Sequence, residues 1–184
     1  MKKLVAILSI FLALFIGINA SAAATMFYTT KGIPTENSTQ YTEPIILNKS
    51  MQIKYMIVDN ATNKTKYGII KHEITKKAKN QTIFPAISFD GDNITLTFPA
   101  NVTVYYTLNG KNPTNKSAIY TAPIILNKNM IIKYMIVSGN ATYKGVVKHT
   151  PCKLVKKTKF KKIKKNKRIK IVKEVIPELE PTSS

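Results

Sequence analysis

The sequence has little cysteine, and this limits how the chain can be stabilised. Cys152 is the only cysteine among 184 residues, so no disulfide can form within the chain and the domains must fold on apolar cores. We expect Cys152 to be a free thiol at the end of a strand. The alternative is an intermolecular disulfide, because an unpaired cysteine in an oxidising compartment can link two chains.

Acidic residues are also scarce. The chain has nine Asp and Glu against 29 Lys and Arg, a formal net charge of +20. Twelve basic residues lie between Lys153 and Lys173, a window without an acidic residue. In a cytoplasmic protein this composition would suggest nucleic acid as the partner.

Groups that could carry out catalysis are few. Asp90 and Asp92 are a close pair of carboxylates, and they fall in a turn, where Asp is common for conformational reasons. His72 and His149 occupy equivalent positions of a repeat, which favours a shared structural role over a metal pair. Phosphate-loop, zinc and nucleophile-elbow motifs are absent. We therefore predict no catalytic, metal or cofactor site and no enzyme, with a glycosidase pair or Ca²⁺ site at Asp90 and Asp92 as the weaker alternative.

Long apolar runs are missing except at the start. Lys2 and Lys3 precede an apolar run from Leu4 to Ile18, followed by small residues in an Ala-x-Ala pattern. This pattern predicts a signal peptide over residues 1–24, and the run is shorter than the roughly 18 residues of a membrane span. An uncleaved anchor is the alternative. Export argues against nucleic acid as the partner and favours an anionic wall polymer, glycan or membrane surface.

An internal repeat organises the rest of the chain. Residues 41–58 return almost unchanged as residues 120–137, and Pro44 and Pro123 set the period at 123 − 44 = 79 residues. That length is typical of a small domain and too long for a solenoid unit.

The apolar pattern within each copy has a period of two. Ile53, Tyr55 and Ile57 alternate with Gln52, Lys54 and Met56, which predicts a half-buried strand with one face in the core. Asp90-Gly91 is a hairpin signal, and helical periodicity does not occur. We predict an all-β protein of two tandem immunoglobulin-like antiparallel sandwich modules, over residues 25–78 and 82–155.

Residues 105–114 carry a recognisable motif, Tyr-Tyr-Thr-Leu-Asn-Gly-Lys-Asn-Pro-Thr, followed by Tyr120 and Pro123. This segment resembles the chitobiase/β-hexosaminidase C-terminal-type module. The resemblance implies an immunoglobulin-like or fibronectin-III-like sandwich, as in accessory domains of bacterial glycosidases and in adhesin-like surface proteins of methanogenic archaea. Residues 28–35 keep a shorter form of the motif.

The first copy lacks the equivalents of residues 83–98, so its sandwich is predicted to be N-terminally incomplete. Three alternatives remain open: a truncated relic, an edge filled by another chain, or an edge filled by the C-terminal tail. We expect self-association through this open edge or through Cys152.

Residues 156–184 are predicted to be a basic, disordered tail, because like-charge runs repel and cannot build a core. A strand over residues 168–172 is the alternative, with Pro177 and Pro181 ending any regular element. The functional interpretation is an anchor that binds an anionic envelope through Lys156, Lys157, Lys159, Lys161, Lys162, Lys164, Lys165, Lys167, Arg168 and Lys170.

The chain also contains many Asn-x-Ser/Thr sequons, which export would make available for glycosylation. They lie at Asn37, Asn48, Asn60, Asn63, Asn80, Asn93, Asn101, Asn115 and Asn140.

Together these features predict a secreted or cell-surface, non-enzymatic, adhesin-like glycoprotein. Its modules would act as spacers or glycan binders. The alternatives are an accessory module beside a glycoside hydrolase and a cationic membrane-active effector.

Overall fold

The computed structural model describes residues 24–76, 83–91, 93–165 and 168–182. The predicted signal peptide therefore lies outside the described residues, apart from its last residue. The described chain consists of thirteen strands: β1 (Thr25–Thr29), β2 (Thr39–Gln40), β3 (Ile45–Ile46), β4 (Met51–Val58), β5 (Thr65–Lys76), β6 (Ala86–Asp90), β7 (Asn93–Thr97), β8 (Thr103–Thr107), β9 (Ala118–Ile119), β10 (Ile124–Ile125), β11 (Met130–Ser138), β12 (Ala141–Lys165) and β13 (Arg168–Pro181). All strand pairings are antiparallel. The predicted all-β antiparallel class is confirmed.

Alternation in the sequence sets which side chains face the core. In β4, Ile53, Tyr55 and Ile57 are buried, and β11 buries Ile132 and Tyr134 in the same way. These β-branched and aromatic side chains suit a pleated, half-buried surface. The predicted inward face of the repeated segment is therefore the observed one.

The larger sheet shows that the two copies are related by an approximate twofold axis. Its strand order is β2-β1-β4-β5-β12-β11-β8-β9, with β13 pairing β12 beside this path. The first four strands of this order and the last four are repeat equivalents, β2 with β9, β1 with β8, β4 with β11 and β5 with β12. The order therefore reads the same from either edge when equivalent strands are exchanged. β5 and β12 pair at the centre, where Lys71 lies opposite Lys148 and these two residues are themselves repeat equivalents.

The smaller sheet has the same symmetry, in the order β10-β7-β6-β3. The β6–β7 hairpin precedes only the second copy in the chain, yet it serves both copies. β7 pairs β10 of the second copy, whereas β6 pairs β3 of the first, with Ile87 opposite Ile45. At the centre of the hairpin Ile87 lies opposite Leu96, and both are fully buried.

The first copy is thus completed from within the chain. Neither of the two predicted occupants of its edge, another chain or the C-terminal tail, is the one found, because β6 of the same chain pairs with β3 there. The core is shared as a result: Met26, Ile53 and Ile70 of the first copy belong to one buried cluster with Val104 and Ile132 of the second. The two copies are therefore joined into common sheets and do not stand as separate tandem units.

The C-terminal segment differs from the prediction of a disordered tail. β12 continues past the shared sheet, and residues 152–165 pair with residues 168–181 of β13. We call this pair the basic hairpin. The prediction considered the segment alone, where like charges repel. Pairing gives each strand a partner and brings acidic residues of β13 close to lysines of β12.

Proline does not interrupt this hairpin. Pro177 and Pro181 lie within β13, contrary to the prediction that they end regular structure. β13 pairs only with β12 among the described strands, and proline is tolerated in an edge strand because its missing N–H would face solvent. Among the described residues no helix is long and apolar enough to cross a membrane.

Candidate functional site

Two buried tyrosine–histidine hydrogen bonds connect the copies across the twofold axis. The hydroxyl of Tyr55 lies 2.8 Å from Nε2 of His149, and the hydroxyl of Tyr134 lies 2.7 Å from Nε2 of His72. In each pair the rings are nearly parallel, at interplanar angles of 7° and 6°. Each bond joins one copy to the other, and both histidines are 1% exposed.

The second ring nitrogen of each histidine fixes its tautomer. Nδ1 of His72 lies 2.8 Å from the carbonyl oxygen of Lys49, and Nδ1 of His149 lies 2.7 Å from that of Lys128. A carbonyl can only accept, so Nδ1–H donates to it, and in the neutral imidazole Nε2 then accepts from the tyrosine O–H. Burial lowers the pKa of both histidines, although the carbonyl contact acts in the opposite direction. Burial thus favours the neutral form of both imidazoles.

This arrangement predicts that acid destabilises the fold. The unfolded chain binds protons near the ordinary histidine pKa of 6.5, whereas the folded chain binds them only at lower pH. Stability is therefore complete above pH 6.5 and falls as the pH decreases below it, by at most about 1.4 kcal/mol per pH unit per histidine. Urea unfolding between pH 7.5 and 5 measures this slope. The chain has two histidines, so a His72→Gln/His149→Gln variant should lose the dependence in this range, and an unchanged slope would contradict the assignment.

The tyrosine–histidine pairs are structural in character. Every polar atom of each imidazole has a partner within the protein, and burial raises the pKa of Tyr55 and Tyr134, so neither hydroxyl is activated for proton transfer. The prediction of a shared strand role for the histidines is in line with this geometry. What sequence reasoning missed is that each histidine bonds the other copy's tyrosine. The equivalent His and Tyr positions were visible, but their partners depend on strand pairing far apart in sequence.

A cavity of about 500 Å³ lies at one end of the sandwich beside Tyr55, His149 and Cys152. Lys66 lines it, whereas the corresponding residue of the second copy, Tyr143, is buried in the core. The lining therefore differs here from the equivalent position of the second copy. Cys152 is 6% exposed, and its thiol donates to the carbonyl of Thr150 at 3.4 Å. Burial raises the pKa of this thiol, which disfavours the reactive thiolate.

A second cavity, of about 640 Å³, lies at the turn that carries the recognised motif. Its lining includes Tyr106, Asn109 and Asn112, and the side chain of Leu108 there is 53% exposed. Lys133 donates to Oδ1 of Asn112 at 3.1 Å. Gly110 has a φ of +76°, a conformation that favours glycine at this turn. Aromatic, apolar and amide groups are thus brought together on an open surface.

The basic hairpin carries the remaining candidate residues. Nine of the ten predicted envelope-binding residues lie in β12 or β13, and Lys167 lies outside the described residues. Lys157 pairs with Glu178 at 3.3 Å and with Glu180 at 2.8 Å. These contacts raise the pKa of Lys157. The acidic residues of β13 thus offset charge near the sandwich, and the outer part, residues 159–173, carries basic charge alone.

The predicted glycosylation residues share one property, which is exposure. Eight of the nine asparagines are described and exposed, and Asn80 lies outside the described residues. Most occur in turns, and Asn63 has a φ of +54°. Attachment of glycans stays a prediction.

Asp90 ends β6 at the predicted hairpin and Asp92 lies outside the described residues. Among the described residues no group of three or more His, Cys, Asp or Glu could hold a metal.

The fold and these sites define a class: an antiparallel β-sandwich built from two copies of an immunoglobulin-like repeat module around one core. Residues 86–148 match the family model of the chitobiase/beta-hexosaminidase C-terminal domain, and residues 16–68 match the model described as Fn3 associated. The second copy is therefore a module of the chitobiase/β-hexosaminidase C-terminal type, as its motif indicated. Comparison with curated proteins and with solved structures finds no match.

Proposed function

We propose that this is an exported, non-enzymatic surface protein whose basic hairpin binds an anionic envelope component. The observation that most directly supports this proposal is the geometry of the hairpin. β12 begins in the centre of the shared sheet and continues, paired with β13, through residues 152–165. Eleven of the twelve basic residues between Lys153 and Lys173 therefore lie on these paired strands, and Lys167 lies outside the described residues. Such charge attracts polyanions and anionic head groups.

The family matches support a carbohydrate-associated, extracellular setting for the module. They concern an accessory domain and bring no catalytic domain with them. A second role as a glycan-binding spacer is favoured by the cavity beside Tyr106, Leu108 and Asn109, because aromatic and amide groups are suited to sugar rings and hydroxyls. Loss of glycan retention in a Tyr106→Ala/Asn109→Ala variant would support it. Two alternative functions remain: an accessory module that acts beside a separate glycoside hydrolase, and a cationic effector that acts on membranes.

Removing charge from the hairpin tests the main proposal. We expect Lys159→Gln/Lys164→Gln/Lys170→Gln/Lys173→Gln to weaken binding to heparin, and to weaken binding to anionic vesicles by on the order of a thousandfold at low salt, since each basic residue near an anionic membrane contributes about 1 kcal/mol. The matched control removes four exposed lysines of the sandwich: Lys31, Lys64, Lys116 and Lys128. Equal losses in both variants would mean that net charge, and not the hairpin, determines binding. Wild-type binding should also fall as salt increases.

A further inference from the structure

Large apolar side chains are exposed along the basic hairpin. Leu154 is 42% exposed, Phe160 69%, Ile171 61% and Val175 54%. Scattered exposed apolar residues are normal in soluble proteins, whereas a contiguous row of them indicates an interaction surface. The position of these four side chains on the hairpin is therefore decisive.

The strand register places all four on one face. Side chains alternate along a strand, and residues directly opposite each other share a face. Leu154 and Phe160 are separated by six positions in β12 and so lie on the same side. Val175 is opposite Thr158 and Ile171 is opposite Lys162, which are also an even number of residues from Leu154. We call this the apolar face.

The other face of the hairpin has a different character. Lys153 is opposite Glu180, and Lys159 is opposite Glu174. Lys157 forms its two ion pairs on this side. The hairpin is therefore amphipathic, with charge pairs on one face and exposed apolar groups on the face that carries Phe160.

We propose that the apolar face lies in the interface of an anionic lipid bilayer. This inference rests on the proposed function and names the membrane surface as the anionic component. A hydrated polymer could neutralise the lysines but would offer no apolar phase for Phe160 and Ile171. A second copy of the hairpin would cover the apolar face, but it would bring two clusters of like charge together. An anionic bilayer satisfies both requirements, because the head groups attract Lys and Arg and the acyl boundary accepts apolar side chains.

The open edges of the hairpin limit the depth of insertion. Beyond Cys152, the described part of β12 pairs only with β13, and β13 pairs only with β12. The outward backbone groups therefore need water, and an open edge does not cross the hydrocarbon region. Lysines interleaved on the apolar face, such as Lys156, can extend their amines toward the head groups. The hairpin thus lies flat and shallow, and it anchors the sandwich without crossing the membrane.

Single tryptophan reporters provide the test, because the chain contains no tryptophan. In the full chain, Phe160→Trp should show a blue-shifted emission on addition of vesicles of 70% phosphatidylcholine and 30% phosphatidylglycerol, and lipids with a shallow quencher should quench it. The matched reporter Val155→Trp lies on the opposite face of the same strand and should change little. Equal shifts at positions 155 and 160 would contradict the assignment of faces.

Vesicle binding by variants that leave the net charge unchanged separates this inference from the proposed function. We expect Phe160→Ser/Val175→Ser to weaken vesicle binding by about tenfold or more, and the opposite-face control Val155→Ser/Ile176→Ser to weaken it less than twofold. Near-ultraviolet circular dichroism verifies that both variants remain folded. If both bind vesicles like the wild type and salt releases them completely, the hairpin is an electrostatic anchor only and the inference is wrong, while the proposed function stands.

The remaining outcomes are also decisive. Binding to heparin without binding to anionic vesicles overturns the inference alone. Absence of binding to either probe overturns the proposed function as well. Equal binding to pure phosphatidylcholine vesicles excludes a role for charge in the contact. A dimer in solution that Phe160→Ser/Val175→Ser dissociates, without lipid binding, identifies a second copy as the occupant of the apolar face.

Discussion

A fragment that ends at Lys76 is expected to remain unfolded, although it contains the whole first copy of the repeat. The inward side chains of β4 and β5 belong to a core that includes Ile87 and Leu96 of the β6–β7 hairpin. In the fragment β3 has lost β6 and β5 has lost β12, so the sheet has an open central edge and its apolar face meets water. A single layer of strands cannot bury enough apolar surface to offset its conformational entropy. Circular dichroism and amide exchange of residues 24–76 measure the result.

The complementary fragment, residues 83–182, provides the control. It keeps β6 and β7 together with β8 to β13, and therefore retains both layers around its own half of the core. We expect it to fold with reduced stability, because His149 loses Tyr55 and β12 loses β5. Mixing the two fragments should restore protected amides in the first. A first fragment that folds alone with a cooperative transition would show that the copies are independent domains.

Replacement of Gly68 or Gly145 by alanine is expected to cause a large loss of stability. A Cβ at Gly68 would overlap the ring of Tyr55, with Cε1 at 2.6 Å, and a Cβ at Gly145 would overlap Tyr134, with Cε1 at 2.8 Å. Neither ring can move freely, because each is buried and its hydroxyl donates to a histidine of the other copy. Overpacking and loss of the buried hydrogen bond each cost about 1–3 kcal/mol. We expect about 3 kcal/mol for each variant in urea unfolding.

The size of that loss is a large part of the 5–15 kcal/mol that stabilises a typical domain. Ser88→Ala, a half-buried strand position in the smaller sheet, is a suitable control and should change the free energy of unfolding by about 1 kcal/mol or less. If Gly68→Ala changes the free energy of unfolding as little as Ser88→Ala does, the ring of Tyr55 has room to shift. Close packing of Gly68 against Tyr55 is then not required for stability.

The shared core also bears on the proposed anchor. β12 is a central strand between β5 and β11 before it becomes one arm of the basic hairpin. Force applied to a membrane-bound hairpin would thus reach the most highly paired part of the sandwich. The hydrogen bond from the N–H of Thr182 to the carbonyl of Pro151, at 3.0 Å, ties the returning strand back at the base.

Local features of the chain could be predicted because they depend on neighbouring residues. Alternation in β4 identified Ile53, Tyr55 and Ile57 as inward, since the side-chain period of a strand is two. Asp90-Gly91 marked the turn between β6 and β7, where Gly91 has a φ of +55°. The motif at residues 105–114 identified the module type, and the family match confirms it. The basic character of the C-terminal segment was equally plain, although its strand pairing was not.

The sequence by itself therefore determined the strand class, the duplication, the module type and the charge. Only the tertiary structure decided which strands pair across the chain. It assigned β6 to the first copy, brought each histidine to the tyrosine of the other copy, and paired β12 with β13 so that the exposed apolar side chains share a face. The physical reason is that strand pairing joins residues far apart in sequence, and its register is selected by the burial of whole faces together. A local pattern shows that a face exists, but the partner that covers it is a property of the complete fold.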